Sequence, residues 1–414
     1  MTDITSEISS ESTPIPAPLI PRQVLFSNPD RAQVTISPDG KHLAFLAPEQ
    51  GVLNVFVAPR GSPDEARAVT ADRHRGVRQY FWCHASQSIL FLQDTDGDEN
   101  YHIFRVPIDE VGGKDLTPIE GAKVLVYGVS HRRPNSMLIG LNDRDPALHD
   151  VYKLDITTGN RELVMINDLG FVGFVVDEDL RIRLGLRFQE DGSHEYLRYS
   201  GDSWETWFAV PADDTLTTHP VGFDATGRHL YLVDSRGRDT GALVMIDADA
   251  EPVDSSHETV IYHEPRADVD GILFHPTVNT VHAVSHDYER SHWTVLDPAV
   301  AADFAVLGDV APGDAQVVSQ SLDDRTWVVA FLMADGPVRY YLYDRDNRTA
   351  TFLFTNRKAL EGLPLVAMHP VVLPSRDGLN LVCYLSIPRG EVVESADGVP
   401  RPREPVGIDR KSVV

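Results

Sequence analysis

Two serines lie in short sequences that resemble the setting of a catalytic nucleophile. Ser130 and Ser203 each follow a glycine by two positions, as in the Gly-x-Ser-x-Gly turn that exposes a serine hydroxyl. The second glycine of that turn is missing, because Arg132 and Glu205 stand in its place. The 16 histidines offer many nominal Ser-His-Asp combinations, but composition alone generates those. The sequence therefore assigns no catalytic residue to this chain.

The densest run of candidate metal ligands is Asp94-Thr95-Asp96-Gly97-Asp98-Glu99-Asn100. Oxygen ligands at alternate positions are typical of a calcium loop. Glu99 replaces the glycine that such a loop needs at its sixth position, and Arg105 replaces the glutamate at its twelfth. Four histidines also match no zinc-binding spacing: His275, His282, His286 and His292. We predict a charged hairpin turn at 94–100, no metal site and no cofactor.

Charged residues recur in turns at equivalent places along the chain. Those that we select as candidates for substrate gating or for facing a partner domain are Asp96, Asp98, Glu99, Arg144, Asp145, Arg238 and Asp239. Because equivalent turns of a repeat come together on one side of a molecule, these residues are expected to share one face. The alternative is that they are solvated turns whose aspartates accept hydrogen bonds from nearby backbone N–H groups.

The charge balance excludes several classes of partner. Lys+Arg total 37 against 62 Asp+Glu, which gives a net charge of −25 over 414 residues. A field of that sign repels phosphate backbones and anionic lipid headgroups, so we expect no nucleic-acid or membrane partner. The sequence has no basic, apolar secretory leader, no window of about 20 apolar residues, and only two widely separated cysteines. These features predict a cytoplasmic protein.

A repeat of 45 to 51 residues positions the charged turns. Seven short apolar strands recur at this spacing, centred on Ala44, Leu90, Leu138, Arg183, Tyr231, His282 and Val328. A turn precedes each strand, a second strand follows it, and the apolar runs are too short for helices. Four-stranded blades arranged in a ring account for this repeat. We therefore predict an all-β fold, a seven-bladed β-propeller over 19–365, preceded by a disordered tail over 1–18.

The repeat ends after Phe354, and a different pattern follows. Residues 371–373 and 379–388 predict two strands joined by the tight turn 375–378. This hairpin belongs to no blade. We predict that 366–408 form a linker and the opening hairpin of a second, incomplete domain.

The order of several motifs resembles the prolyl oligopeptidase family of serine peptidases, closest to its acylaminoacyl-peptidase and dipeptidyl-aminopeptidase branch. The motifs are Ile20-Pro21-Arg22-Gln23-Val24-Leu25-Phe26, Ser37-Pro38-Asp39-Gly40, Tyr80-Phe81-Trp82, residues 94–100, Asn142-Asp143-Arg144-Asp145-Pro146, Gly237-Arg238-Asp239-Thr240, and 336–341. In addition, 375–379 and 384–388 resemble the strand pair that opens the family's α/β-hydrolase domain. The resemblance covers about 20–400.

This resemblance implies a function for the propeller. In the family the propeller caps an active site, admits short peptides, and the reaction passes through a serine acyl-enzyme. No residue here matches the family's catalytic triad, so the chain is expected to be inactive alone, with short peptides as substrates of the missing hydrolase domain. A homo-oligomer is compatible with these features. The alternative is a stand-alone propeller that acts as a protein-interaction scaffold, which would have no use for the hairpin at 371–388.

The last six residues carry a separate prediction. Residues 409–414 read Asp-Arg-Lys-Ser-Val-Val, the translation of a widely used sequencing-library adapter that is followed by a stop codon. We predict that 409–414 are encoded by adapter sequence and that the natural gene continues into a hydrolase domain.

Overall fold

The computed structural model describes residues 19–201, 203–250, 257–387, 392–393 and 401–402. The predicted tail 1–18 and the predicted adapter-encoded residues 409–414 lie outside the described residues. Two compact units divide the chain, one formed by 28–333 with 338–357 and the other by the remaining residues. The described helices include none with the length and apolar composition needed to cross a membrane.

The first unit is a seven-bladed β-propeller, which confirms the predicted fold class. The strands of blades 1 to 4 are, in chain order, β1 Ala32–Ile36, β2 His42–Glu49, β3 Val52–Pro59, β4 Arg67–Ala68, β5 Gln79–Trp82, β6 Ser88–Gln93, β7 His102–Pro107, β8 Lys114–Asp115, β9 Val124–Val129, β10 Ser136–Asp145, β11 Leu148–Asp155, β12 Arg161–Met165, β13 Gly173–Val176, β14 Ile182–Phe188, β15 His194–Tyr199 and β16 Trp204–Val210.

The strands of blades 5 to 7 are β17 His219–Phe223, β18 His229–Asp234, β19 Ala242–Asp247, β20 Glu258–Tyr262, β21 Val269–Phe274, β22 Val281–Tyr288, β23 Arg290–Val295, β24 Asp314–Gln320, β25 Thr326–Leu332, β26 Arg339–Asp344 and β27 Thr349–Thr355. Within each blade the strands are antiparallel neighbours in chain order. The first strand of each blade is the innermost, as the packing of β1 against β24 and of β13 against β9 and β17 shows.

Blade 6 differs from the others in the described part of the chain. It has three strands, so the prediction of four strands in every blade is wrong here. After β23 the chain forms a 3-10 turn, Pro298–Val300, and then helix α2, Ala301–Leu307. Asp297 caps the turn by accepting from the N–H of Ala299 at 2.9 Å. The alanine-rich sequence favours a helix, and Leu307 is buried in place of a fourth strand's side chain.

Tight turns between the first and second strands fix the register of the blades. In blade 1, Ser37 Oγ donates to Asp39 Oδ1 at 2.7 Å, and Gly40 adopts the left-handed conformation with φ of 71°. In blade 7, Ser321 Oγ makes the equivalent bond to Asp323 Oδ1 at 2.6 Å. Local polar side chains therefore close these turns, as the sequence predicts.

The apolar core is divided among the seven interfaces between neighbouring blades, each with its own buried cluster. The ring closes where blade 7 meets blade 1, because Phe45 packs there with Phe354, their ring centroids 5.4 Å apart. The N–H of Ile36 also donates to Ser319 Oγ at 3.0 Å. Each described strand pairs only within its own blade, so side-chain packing carries most of the closure.

The second unit contains helix α1, Arg22–Phe26, and an antiparallel hairpin of β28 Met368–Pro374 and β29 Asn380–Ser386. The turn 375–379 is closed by the N–H of Ser375, which donates to the carbonyl of Leu379 at 2.8 Å. Two short strands, β30 Val392–Val393 and β31 Arg401–Pro402, also pair. The hairpin occupies the place at which the sequence predicts one. Its assignment to a hydrolase domain, and the boundaries 19–365 and 366–408, stay predictions.

Candidate functional site: the loop face of the propeller

We define the loop face as the side of the ring that carries the connections between the second and third strands of blades 1 to 6. Asp96, Asp98 and Glu99 lie between β6 and β7, Arg144 and Asp145 end β10, and Arg238 and Asp239 lie between β18 and β19. Because every blade repeats the same strand order, these connections emerge on one side. The seven residues therefore occupy the same face, in blades 2, 3 and 5.

The chain also enters and leaves the ring at the loop face. The innermost strand β1 begins on this side, and the outermost strand of blade 7, β27, ends on it. The N–H of Asp30 donates to the carbonyl of Asn356 at 2.8 Å, and the N–H of Asn356 donates to the carbonyl of Val338 at 2.9 Å. Segments before and after the propeller therefore connect to it at adjacent points.

The loop of blade 2 is held by its own carboxylates. Asp98 accepts from the N–H groups of Thr95 and Asn100 at 3.2 and 3.1 Å. Slight desolvation would raise the pKa of Asp98, but the hydrogen bonds from Asn100 and Thr95 outweigh it and lower that pKa. Asp96 and Glu99 are exposed and have φ of 52° and 60°. Asp96 and Glu99 are thus free to present charge outward.

The carboxylates of this loop make local contacts in the described chain. Asp94 is buried and forms an ion pair with Arg75, whose Nε lies 3.4 Å from Asp94 Oδ1. Asp98 uses its oxygens within the turn, as a solvated hairpin turn would. Among the described residues, the side chains of His275, His282 and Asp324 lie close enough together to hold a metal ion.

In blade 3, Arg144 is tied to the body of the blade. Its Nε and Nη2 donate to the two carboxylate oxygens of Asp150 at 2.7 and 2.8 Å, and Nη2 also donates to the carbonyl of Asn167. The fork-shaped bond to Arg144 lowers the pKa of the buried Asp150. Asp145 accepts from the N–H of Ala147 at 2.9 Å. Arg144 therefore positions the loop, and Asp145 caps its turn.

In blade 5, Arg238 belongs to a buried cluster of four charges, which we call the blade-5 ion cluster: Asp234, Arg236, Arg238 and Glu258. Arg236 donates to Asp234 Oδ1 and Oδ2 at 2.9 Å each and to Glu258 Oε1 at 2.9 Å. Arg238 Nη2 donates to Glu258 Oε2 at 2.9 Å. The cluster fixes this loop on the outer strand β20, which carries Glu258. Asp239 beside it is exposed.

The two acids of the blade-5 ion cluster have opposite pKa shifts. Burial alone would raise the pKa of Asp234, but hydrogen bonds from Arg236 outweigh it and hold that pKa well below its usual range. Burial and the neighbouring Asp234 raise the pKa of Glu258. The guanidinium of Arg236 thus stabilises the ionised form of Asp234.

Neither serine of the glycine-serine sequences has a catalytic setting. Ser130 is buried, and its Oγ donates to the carbonyl and to the Oε2 of Glu178, at 2.6 and 2.8 Å. Ser203 Oγ donates to Glu205 Oε1 at 3.1 Å. In the part of the chain that the structure describes, no histidine hydrogen-bonds to either hydroxyl. A serine needs such a base to become a nucleophile.

The cluster of His275, His282 and Asp324 joins blades 6 and 7 at the face opposite the loop face. His282 is buried, with Nδ1 at 3.0 Å from Asp297 Oδ2 and Nε2 at 3.1 Å from Asp324 Oδ2. Asp324 also accepts from Trp327 Nε1 at 2.8 Å and from Arg345. Because Asp324 links residues of both blades through these contacts, we call this cluster the clamp between blades 6 and 7.

Sequence reasoning missed the partners that hold the loops: Asp150, Asn167, Asp234, Arg236 and Glu258. Glu258 lies 24 residues after Asp234 and meets it only because β20 and β18 flank β19. An aspartate at the end of a strand is the one local signal, and it does not distinguish a buried ion cluster from a solvated turn.

Two curated proteins are similar in sequence to most of this chain. The chain is 45% identical over 372 residues to dipeptidyl aminopeptidase BIII of Pseudoxanthomonas mexicana, covering 90% of this chain and 53% of that protein. It is 30% identical over 387 residues to dipeptidyl peptidase family member 6 of Caenorhabditis elegans, and the match covers 89% of this chain and 52% of that protein. The chain thus spans about half the length of the curated relatives it matches. No family model matches the chain.

Solved structures support the same fold. A structure from a study of two prolyl endopeptidases aligns with a TM-score of 0.61 at 10% identity, covering 88% of this chain and 55% of that one. A Mycobacterium tuberculosis puromycin-hydrolyzing peptidase aligns with a TM-score of 0.59 at 13% identity, covering 89% and 60%. Fold and sequence together define a propeller of the prolyl oligopeptidase type. The chain matches the propeller part of that peptidase family.

Proposed function

We propose that this chain is the substrate-gating propeller of a serine oligopeptidase or exopeptidase that cleaves short peptides. The observation that carries the proposal is the 45% identity to a dipeptidyl aminopeptidase across 90% of the chain. In this proposal, the Ser-His-Asp triad belongs to a catalytic domain that lies outside this chain. The propeller's contribution is to control which peptides reach that domain.

The proposed reaction is acyl transfer through a serine ester. The serine oxygen attacks the scissile carbonyl while a histidine takes the hydroxyl proton, and that proton then passes to the departing amine. Water next attacks the ester, which releases the acyl part of the peptide and restores the serine. None of these groups is assigned to a described residue of this chain.

The loop face is the surface that we assign to the catalytic domain. The support is the adjacent positions at which the chain enters and leaves the ring, Asp30 and Asn356. The exposed acids Asp96, Asp98, Glu99 and Asp239 and the half-buried Asp145 would meet incoming peptides there. Arg144 and Arg238 act differently in this proposal, because their bonds to Asp150 and Glu258 hold the loops in place.

The hairpin of β28 and β29 is proposed to open the catalytic domain. Leu373, Leu381 and Tyr384 are exposed to 49%, 48% and 52%, more than apolar side chains of a finished sheet. Packing of the rest of that domain against the faces of the hairpin would cover them. A stand-alone scaffold offers no reason to expose these side chains.

The test is hydrolysis of chromogenic peptides by the complete gene product from the source organism. We expect release of N-terminal dipeptides from substrates with a free amino group, and no turnover by the 414-residue chain. Turnover of N-acylated amino acids instead would favour the acylaminoacyl-peptidase branch. Loss of all turnover in a folded complete product would contradict the proposal. Cytoplasmic location and oligomeric state are checked on the same protein by cell fractionation and size-exclusion chromatography.

A further inference from the structure

A cleft opens between the innermost strands of blades 2 and 3, and it does not include the blade-5 ion cluster. It has a volume of about 650 Å³ and lies along β5 and β9. Phe81 of β5 and Leu125 of β9 are apolar lining residues, and the buried Trp82 also lines the cleft. A volume of this size accommodates several amino-acid residues rather than a single side chain.

The cleft reaches the unpaired edge of β9. It touches Val124, Leu125 and Val126, which are consecutive. Because neighbouring side chains of a strand point to opposite faces, a cavity that touches all three includes the strand's edge. Within the described strands β9 pairs only with β10, so its other edge has no strand partner. The N–H of Val124 already donates to the carbonyl of Tyr101 at 2.8 Å, which leaves the edge beyond Val124 for a ligand. An extended peptide can use such an edge for backbone hydrogen bonds.

One cation lines the cleft at the loop-face end of β9. Lys123 is half-buried, its backbone N–H donates to Asn142 Oδ1 at 2.6 Å, and its Nζ lies 6.0 Å from the ring centroid of Tyr101. Among the described residues it forms no ion pair, although the chain has 62 acidic residues and a net charge of −25. An ammonium left without a carboxylate in an acidic protein is complementary to an anionic group of a ligand.

A second polar group in the cleft also lacks a partner. His84 lines the cleft, and its Nδ1 is buried without a hydrogen-bond partner in the described chain. Burial and the nearby His131 lower the pKa of His84, so the ring is neutral at neutral pH. Buried polar atoms without partners are rare in folded proteins. A ligand with hydrogen-bonding groups would satisfy this one.

We propose that this cleft binds the C-terminal residues of a short peptide with an apolar last side chain. The terminal carboxylate pairs with Lys123, the apolar side chain lies between Phe81 and Leu125, and the peptide backbone follows the edge of β9 beyond Val124, which has no strand partner. The inference depends on the proposed function only in that the ligand is taken to be a peptide. A peptide held by its C-terminal end leaves its amino end free for processing.

The experiment measures binding by isothermal titration calorimetry on the 414-residue chain, with no catalysis involved. The probes are the peptide Ala-Ala-Gly-Leu with a free carboxylate and the same peptide as its C-terminal amide. We expect the free acid to bind at least about tenfold more tightly, since a charge-assisted contact is lost in the amide. Lys123→Met should remove this preference. The matched control is Lys153→Met, which removes an exposed lysine from β11 of the same blade and should keep it.

Three results would overturn the proposal: equal binding of acid and amide, a preference that survives Lys123→Met, or no binding by a folded chain. Leu125→Trp provides an independent check, because it fills the cleft and should abolish binding while leaving Lys123 in place. Decanoate tests whether the cleft instead binds the carboxylate of a free fatty acid. Tighter binding of decanoate than of the peptide would contradict a peptide site. Circular dichroism verifies that each variant is folded. Failed binding with intact hydrolysis by the complete gene product would reject this inference and leave the proposed function standing.

Discussion

Asp30 and Asn356 are joined by a backbone hydrogen bond of 2.8 Å, so the two ends of the ring lie side by side on the loop face. No described strand from one end of the ring completes the blade at the other end, since every described strand of the propeller pairs within its own blade. The interface between blades 7 and 1 therefore depends on packing around Phe45 and Phe354 and on Arg31, whose guanidinium lies 4.5 Å from the ring centroid of Phe354.

The clamp between blades 6 and 7 should contribute strongly to stability. We expect Asp324→Ala to lower the free energy of unfolding by about 3 kcal/mol, because it removes the buried carboxylate that contacts His282, Trp327 and Arg345 and leaves Trp327 Nε1 without that acceptor. Urea denaturation followed by tryptophan fluorescence measures this change. Asp346→Ala removes a carboxylate from an exposed pair with Arg325 and should change stability little. Similar midpoints for the two variants would show that the clamp is not structural.

The blade-5 ion cluster should make stability fall in acid. The pKa of Asp234 is lower in the folded chain than in the unfolded chain, so its contribution is present above the unfolded pKa of about 4 and is lost as pH falls through the folded pKa. Asp234→Asn should destabilise the chain at pH 7 and flatten the acid dependence below pH about 4. Thermal unfolding at a series of pH values measures both effects. An unchanged acid dependence in the variant would contradict this assignment.

Much of this architecture can be predicted from the sequence, whereas features that depend on contacts between distant residues cannot. The repeat spacing and turns such as Ser37-Pro38-Asp39-Gly40 predict seven blades, because turn chemistry and alternation are local signals. Helix α2 was missed because a repeat leads one to expect another strand after β23. The partners of Arg144 and Arg238 were missed because Asp150 and Glu258 meet them only through strand pairing.

The loop-face acids should influence peptide selection without supporting the fold. Asp96 and Glu99 are exposed, so Asp96→Asn with Glu99→Gln should leave the melting temperature of the chain unchanged. In the complete gene product the same pair should raise KM for cationic peptides more than for neutral ones and leave kcat unchanged, since the attraction lost is electrostatic. Asp64→Asn, at another exposed carboxylate, is the control. If the double variant, the Asp64→Asn control and the original protein have equal KM values, these acids have no role in peptide selection and belong only to solvated turns.

The hairpin of β28 and β29 should cause self-association of the 414-residue chain. Its exposed Leu373 and Leu381 lie opposite each other in the register and present an apolar surface. We expect Leu373→Ser with Leu381→Ser, or deletion from Ala367 onward, to shift the chain toward monomer in size-exclusion chromatography. Limited proteolysis should cut near 360–375 in the original chain. A monodisperse chain with a resistant hairpin would instead favour the scaffold alternative.

Labelling with a serine-reactive fluorophosphonate tests the central claim most directly. The claim is that the chain is a peptidase propeller whose nucleophile lies outside it. We predict that the purified 414-residue chain stays unlabelled, whereas the complete gene product is modified at one serine that mass spectrometry places beyond the propeller. Stoichiometric modification of a serine within the 414 residues, or no modification of a folded complete product, would contradict the account.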